Sequence, residues 1–332
     1  MKMKDIAKEL GISIATVSRV INGHEHVSGK TREKVLEYVE KKGYTPNAIA
    51  QNLSKKENKT IAVLIPNIGN PFFSKLIDCV CKYFTEAGYQ IALFNTLGDL
   101  KQENQAIKNI LQHRTAGVIA ILNKGKYENN PLEPLLRQNL PVYLLDRDLE
   151  NCEIPGVFID NYTGAYNLTK ALIERGNTKI AIITGNLEFS NAKERLEGFK
   201  QAHLDMGLEF NENSVYIGDY LYESGYIQGK KILKDDYTAI FSSNNLMLYG
   251  LLKALKEEGK VVDLACFEQT DIFDILDLNL IYCNIPLDEM GKEMYELFIS
   301  KNIKDKRYIK PIFLEKKYNR EIVNKKKENR DD

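Results

Sequence analysis

The chain has 332 residues, 43% of them hydrophobic, with 46 Lys and Arg against 46 Asp and Glu. That length allows two or three compact domains with substantial cores, and the composition excludes a disordered or fibrous chain. The balance of charge is uneven. Residues 1–60 hold 12 basic against 7 acidic side chains, so a basic head precedes a mildly acidic body and an anionic partner is expected for the head.

No run of about 18 apolar residues occurs, and Met1-Lys2-Met3-Lys4-Asp5 leads into an amphipathic pattern without the apolar core of a signal peptide. A cytoplasmic protein, with no membrane partner, is expected. The five cysteines, Cys79, Cys81, Cys152, Cys266 and Cys283, are scattered and odd in number, which suits reduced thiols packed as small hydrophobes. Cys79 and Cys81 lie two apart in a predicted helix, point to different sides and make a poor metal pair. His24 and His26 fit a solvated loop. No metal and no cofactor are expected.

Residues 4–10 form a first short helix with Ile6, Ala7 and Leu10 inward. Gly11 can leave it through a positive φ, and Ser13 caps a second helix whose apolar face is Val17, Val20 and Ile21. The other face carries Ile14, Ala15, Thr16, Ser18, Arg19 and Asn22. Small or hydrogen-bonding groups with one guanidinium suit a DNA major groove, though so short a pattern equally fits an ordinary helical domain. Ser28 caps a third helix, with Val35, Leu36 and Val39 closing a three-helix core. Pro46 stops that helix. Ala48 to Ser54 then allow a helix of only about two turns, which forms only when something packs on it, and a polar run, Lys55 to Lys59, follows.

From Thr60 strands and helices alternate. Buried-strand runs fall at 60–65, 90–94, 117–122 and 142–145, with helices at about 70–87, 102–112 and 131–138 between them. A second set falls at 156–160, 179–184, 214–217, 238–241 and 261–267. This alternation implies parallel sheets covered on both faces, in two hinged halves with a ligand cleft at the strand C-terminal ends. No dinucleotide or phosphate loop, metalloprotease helix or nucleophile elbow occurs, so catalysis is not expected. The tail has no Leu heptad for a coiled coil and reads as a solvated terminus.

Several motifs occur together and in order: Lys4-Asp5-Ile6-Ala7-Lys8, Ala15-Thr16-Val17-Ser18-Arg19-Val20-Ile21-Asn22-Gly23, Thr31-Arg32-Glu33-Lys34-Val35 and Gly43-Tyr44-Thr45-Pro46-Asn47-Ala48. Asn70-Pro71-Phe72-Phe73, Leu145-Asp146-Arg147, Ile159-Asp160-Asn161, Arg195-Leu196-Glu197-Gly198-Phe199 and Glu289-Met290-Gly291 follow. Through them, from Lys4 to about Leu314, the chain resembles the lac repressor and galactose repressor (LacI/GalR) family of bacterial transcription regulators. The resemblance implies an all-α helix-turn-helix head joined to an α/β, bilobal, periplasmic-binding-protein-like body of two doubly wound parallel-sheet subdomains. The implied division is head 1–45, hinge helix and linker 46–59, N-terminal effector subdomain 60–160 plus about 285–312, C-terminal effector subdomain 161–284 plus about 313–324, and charged tail 325–332.

The same resemblance implies base contacts from Ile14, Ala15 and Arg19, phosphate contacts from Thr16, Ser18 and Asn22, and a minor-groove wedge, Leu53, in the hinge helix. Gln51 stands where many relatives have Arg. Effector contacts are implied for Phe72, Phe73, Asn123, Asp146, Asn191, Arg195, Tyr220, Asn244 and Glu268. Aromatic faces ringed by carboxylate, amide and guanidinium groups suit a polyhydroxylated ligand, with a structural ion-pair network as the alternative for Asp146, Arg147 and Arg195. Two runs depart from the family pattern, Cys266-Phe267-Glu268-Gln269 for Gly-Phe-Asp-Asp and Asn244-Asn245 for Asn-Asp, and the loop around Gly259 to Leu264 is short. The implied protein is a repressor that binds a pseudo-palindromic double-stranded operator as a homodimer, controlled by a sugar-like small-molecule effector. The alternative is a sugar-binding receptor without DNA regulation, against which residues 1–60 weigh.

Overall fold

The structure, a computed structural model, describes residues 2–21, 27–43, 58–113, 115–275, 278–302 and 304–316. These fall into two units, Met1–Asn58 and Lys59–Asp332. The expectations for Asn22, His24, His26 and Leu53, for nearly all of the 46–59 hinge and for the 325–332 tail lie outside the described residues.

The head contains α1 (Met3–Leu10), α2 (Ile14–Ile21) and α3 (Gly29–Lys41). Local chemistry sets each boundary. Lys2 N–H donates to Asp5 Oδ2 at 2.7 Å, and Gly11 ends α1 at φ +66°, a conformation that costs glycine little. Ser13 Oγ accepts from Thr16 N–H at 3.0 Å, and Ser28 Oγ from Thr31 N–H at 3.3 Å, each satisfying an otherwise orphaned donor. Ile6, Ala7, Val17, Val20 and Val35 form the core, with Leu10, Ile21, Tyr38 and Val39 around it. Leu36 departs from its expected inward position and is 47% exposed. Val35, Tyr38 and Val39 share one face at i, i+3, i+4, and Leu36 is turned about 100° away from Val35.

In the body, the first lobe is built from β1 (Thr60–Ile65), α4 (Pro71–Glu86), β2 (Gln90–Asn95), α5 (Leu100–Gln112), β3 (Gly117–Ala120), the single turn α6 (Glu133–Leu136), β4 (Val142–Asp146) and β5 (Gly156–Ile159). The second lobe follows as α7 (Asn161–Glu174), β6 (Ile180–Thr184), α8 (Ser190–Asp205), β7 (Val215–Ile217), α9 (Tyr222–Ile232), β8 (Ala239–Ser242), α10 (Asn245–Glu258), β9 (Asp263–Cys266) and β10 (Leu280–Asn284). The chain returns to the first lobe for α11 (Leu287–Ser300) and β11 (Lys306–Ile309), and β12 (Ile312–Lys316) then joins the second. The sheet orders are β11-β5-β4-β3-β1-β2 and β12-β10-β9-β8-β6-β7. Among the described residues no helix is long and apolar enough to cross a membrane.

Strand alternation feeds two helix layers. Ile61, Val63 and Ile65 face the layer of α4 and α11, with Phe84, Met290 and Phe298, while Ala62 and Leu64 face α5 through Ile107 and Ile110. Three details differ from the sequence reading. The helix expected at about 131–138 is only the single turn Glu133–Leu136, flanked by turns. The strand expected from 261 begins at Asp263, since Val261 is 94% exposed. β12 runs antiparallel to β10, where a wholly parallel sheet was expected. The cause is connectivity: β11 ends at the cleft, only Lys310 and Pro311 intervene, and β12 must start at the cleft end of the second sheet and run away from it.

Helices α9 and α10 approach closely because glycines meet at their crossing. A Cβ on Gly225 would lie 2.1 Å from Met247 O, and one on Gly250 would lie 2.1 Å from Tyr222 O. Gly225→Ala is therefore expected to destabilise the body by about 1–3 kcal/mol through overpacking, read as a lower thermal midpoint. An unchanged midpoint would show that the two helices separate freely.

Candidate functional site

On α2, Val17 and Val20 turn inward while Ile14, Ala15 and Arg19 point to solvent, Ile14 at 54% exposure. Thr16 and Ser18 are half-buried. The Thr16 hydroxyl lies 2.9 Å from Ser13 Oγ and belongs to the cap of the helix. Ala15 and Arg19, four apart, share one exposed ridge with Ile14 beside them. An apolar branched group, a methyl and a guanidinium thus stand free on one helix face.

In the body, eight of the nine expected effector positions meet in one cleft between the lobes, joined by Asn70 and Arg147. All stand at the C-terminal ends of strands or just beyond, where an open α/β sheet leaves a crevice. Phe72 and Phe73 open α4 after an Asn70 cap, Asp146 ends β4, Asn191 and Arg195 lie early in α8, Tyr220 follows β7, Asn244 caps α10 and Glu268 follows β9. Asp146 and Tyr220 have left-handed backbones, φ +65° and +68°, a conformation that costs a non-glycine residue about 1–2 kcal/mol. Asn244 Nδ2 donates to Tyr220 O at 3.0 Å and holds that turn.

Asn123 is placed differently. Its Nδ2 donates to Asp99 O at 3.2 Å, its Oδ1 accepts from the Thr96 hydroxyl at 3.0 Å, and its N–H donates to Glu103 Oε2 at 2.7 Å. Tyr127 O–H donates to the other Glu103 oxygen at 2.7 Å. Burial raises the Glu103 carboxyl, and these hydrogen bonds partly oppose the rise. Asn123 thus ties the end of β3 to β2 and α5 without lining the cleft.

Two buried arginines dominate the cleft. Arg195 Nε donates to Asn161 Oδ1 at 2.9 Å, its Nη1 to Ser243 O at 2.5 Å, and its guanidinium lies 3.7 Å over the Phe267 ring. Arg147 Nη1 donates to Leu122 O at 2.8 Å; its guanidinium lies 4.2 Å over Phe189, and its Nε is 3.9 Å from Asp146 Oδ2. The flat cations thus occupy the aromatic faces, while Phe72 and Phe73 meet edge to face at 5.4 Å. Burial raises the carboxyl of Asp146, against the pull of Arg147 and Arg195, and takes that of Glu268 up to about 7, against Arg195 first. Burial also pushes the Tyr220 phenol up to about 12.

Several polar atoms in and beside this cleft have no hydrogen-bond partner among the described residues: Asp146 Oδ1, Arg147 Nε, Ser243 Oγ and Asn245 Oδ1. Acceptors and donors are left open together, which a hydroxylated molecule can satisfy. The lobes stand close: about 20 Å³ is left inside this ring of residues, room for about one water, and about 180 Å³ lies beside it between Phe72, Lys75, Asn245, Glu268 and Asp271. Lys75–Asp271 at 3.0 Å, Lys124–Glu188 at 3.9 Å and Lys193–Glu150 clasp the lobes, and Asp148 N–H reaches Ser190 Oγ at 3.3 Å. Among the described residues no group of three His, Cys, Asp or Glu could hold a metal ion. Asn70, Arg147, Phe189 and Phe267 are cleft residues absent from the sequence-derived set. Arg147, next to Asp146 in a quoted motif, carried a signal there; Phe189, an isolated aromatic ahead of a helix, carried none.

Residues 2–47 match the family described as bacterial regulatory proteins, lacI family, and residues 61–272 match the periplasmic binding protein domain. Catabolite control protein A of Priestia megaterium is 34% identical over 294 residues, 86% of this chain and 88% of that protein. HTH-type transcriptional repressor PurR of Vibrio cholerae is 29% identical over 319 residues, 94% of each. Among solved structures, the transcriptional regulator CelR–cellobiose complex superposes with a TM-score of 0.72 at 26% identity, over 95% of this chain and 98% of that one. The lac repressor dimer bound to operator and the anti-inducer ONPF gives 0.81 at 22% identity, over 96% and 98%, a likeness of fold. The chain belongs to the lacI family of bacterial regulatory proteins, DNA-binding transcription regulators with a helix-turn-helix head and a periplasmic-binding-protein-like body.

Proposed function

We propose that the protein is a cytoplasmic repressor that binds a pseudo-palindromic operator as a homodimer and is switched by a hydroxylated small molecule, a sugar or sugar derivative, in the interlobe cleft. The observation that carries this reading is the convergence of Asp146, Asn191, Arg195, Tyr220, Asn244 and Glu268, with unpartnered polar atoms among them, between two lobes clasped across the cleft by a few ion pairs and hydrogen bonds. Binding requires the lobes to part, and a ligand that prefers one lobe angle shifts the population toward it. The repressor sense and the sugar class draw support from relatives whose names state a repressor and a cellobiose complex.

On DNA, Ile14 meets a thymine methyl, Ala15 permits close approach and Arg19 reads guanine. Thr16, Ser18 and Asn22 hold phosphates, and Leu53 wedges a minor-groove step. The dimer reading is supported by exposed apolar side chains along the same edge of both lobes: Leu93 and Leu97 at β2, and Ile217, Leu221 and Ile227 at and after β7. Arg19→Ala is expected to weaken operator binding about 10- to 100-fold and to relax preference at one base. Mobility shift against the upstream DNA, with and without sugars, measures both this loss and the effector response. Undiminished affinity would remove Arg19 from the reading face.

A further inference from the structure

The strands of the first lobe start at the end remote from the cleft, and there a further cavity of about 860 Å³ opens, against about 20 and 180 Å³ for the two spaces between the lobes. Small-molecule sites usually enclose about 300–1,000 Å³. Its floor is aromatic: the Phe298 ring, at the end of α11, lies 5.4 Å from Tyr89, nearly perpendicular to it, and 5.8 Å from Tyr143, inclined at 63°. Leu136 and Leu140 extend the apolar wall.

Tyr143 is the informative residue. It is 2% exposed and lines this cavity, yet its hydroxyl has no hydrogen-bond partner among the described residues. The ring is buried but the hydroxyl is not sealed away: it opens onto the cavity, whereas the Tyr127 hydroxyl of the same lobe is taken up by Glu103. Fixed charge in the lining is limited to Glu153 and Lys301, one of each sign. Asn130, Asn139 and Asn151 add uncharged polar groups to the lining, and a ring compound covers the aromatic floor.

We propose that this cavity is a second small-molecule site, separate from the interlobe cleft, for an uncharged, mostly apolar ring compound that offers one hydrogen-bonding group to Tyr143. Dansylamide, a neutral naphthalene sulfonamide, is a suitable probe. The chain contains no tryptophan, so Ile299→Trp, at a cavity-lining position 48% exposed, installs a single donor for energy transfer to the probe. The full-length protein is expected to give a saturable rise in dansyl emission, and Ile299→Trp sensitised emission over the same concentration range. Tyr143→Phe is expected to raise the half-saturating concentration about five-fold, the loss of one hydrogen bond, with the unfolding midpoint unchanged. Emission that rises linearly without saturating, sensitised emission that is absent, or a half-saturation that Tyr143→Phe leaves in place would each overturn the assignment.

Discussion

Arg195→Ala is expected to lower the thermal midpoint of the body by about 10 °C and to abolish any stabilisation by a cleft ligand. The guanidinium joins three elements, through Asn161 at the start of α7, the Ser243 carbonyl after β8 and the Phe267 ring after β9. Truncation strands both acceptors in a dry site and uncovers one face of the ring. Breaking such a buried charged arrangement costs about 3–5 kcal/mol, and in a chain of this size each kcal/mol moves the midpoint by about 2–4 °C. Arg195→Lys is expected to recover only part of the loss, because an ammonium keeps the charge but neither the two directed donors nor the flat face. Scanning fluorimetry of the three proteins checks this; equal midpoints would show that the cleft does not depend on Arg195.

Glu268→Gln is expected to make the protein more stable at alkaline pH and to leave acid stability nearly unchanged. The folded-state carboxyl titrates at about 7 instead of near 4.5, chiefly because it is buried, with the nearby Asp146 adding to the rise and Arg195, the Asn245 N–H and Arg147 opposing it. Between those values the folded protein keeps a proton that the unfolded chain has released. Stability therefore falls as pH rises through the window and levels off above about 7. The full cost is roughly 3 kcal/mol, and the neutral amide removes it. Urea unfolding from about pH 5 to pH 8 should show a downward slope in the parent and a flatter one in Glu268→Gln. Parallel slopes would mean that Glu268 is already ionised in the folded protein.

Much of this architecture could be read from the chain because its rules are local. Ser13 and Ser28 declare helix starts, and the short, β-branched apolar run 60–65 reads as a buried strand and forms one. The cleft positions come from the resemblance to the family, and they converge because the ends of strands and the starts of the following helices collect at one end of an open sheet. What escaped depends on contacts between distant segments. The direction of β12 follows from where β11 ends, and the turn of Leu36 follows from which neighbours Val35 finds. Asn123 looks like its cleft neighbours in sequence, yet Thr96, Asp99 and Glu103 engage it first. The cavity beside Tyr143 is assembled from Tyr89, Leu140, Ile154 and Phe298, four segments with no shared pattern.

The three passages of chain between the lobes, at Asp160, at Ile285–Pro286 and at Lys310–Pro311, all lie along one edge, where β5 adjoins β11 and β10 adjoins β12. Asp160 N–H donates to Ile309 O at 2.9 Å, and Asn284 pairs with Ile312, so the passages are stitched together in twos. Such an arrangement behaves as a door hinge: the lobes can rotate about that edge but cannot slide apart. Six strands span about 24 Å from hinge to free edge, so a rotation of about 10° would carry the β2 and β7 edges about 4 Å relative to each other. Motion is therefore smallest where the chain crosses and largest along the apolar margin where a second copy is proposed to sit, so in the proposed dimer a small turn at the cleft would become a change of spacing between partners.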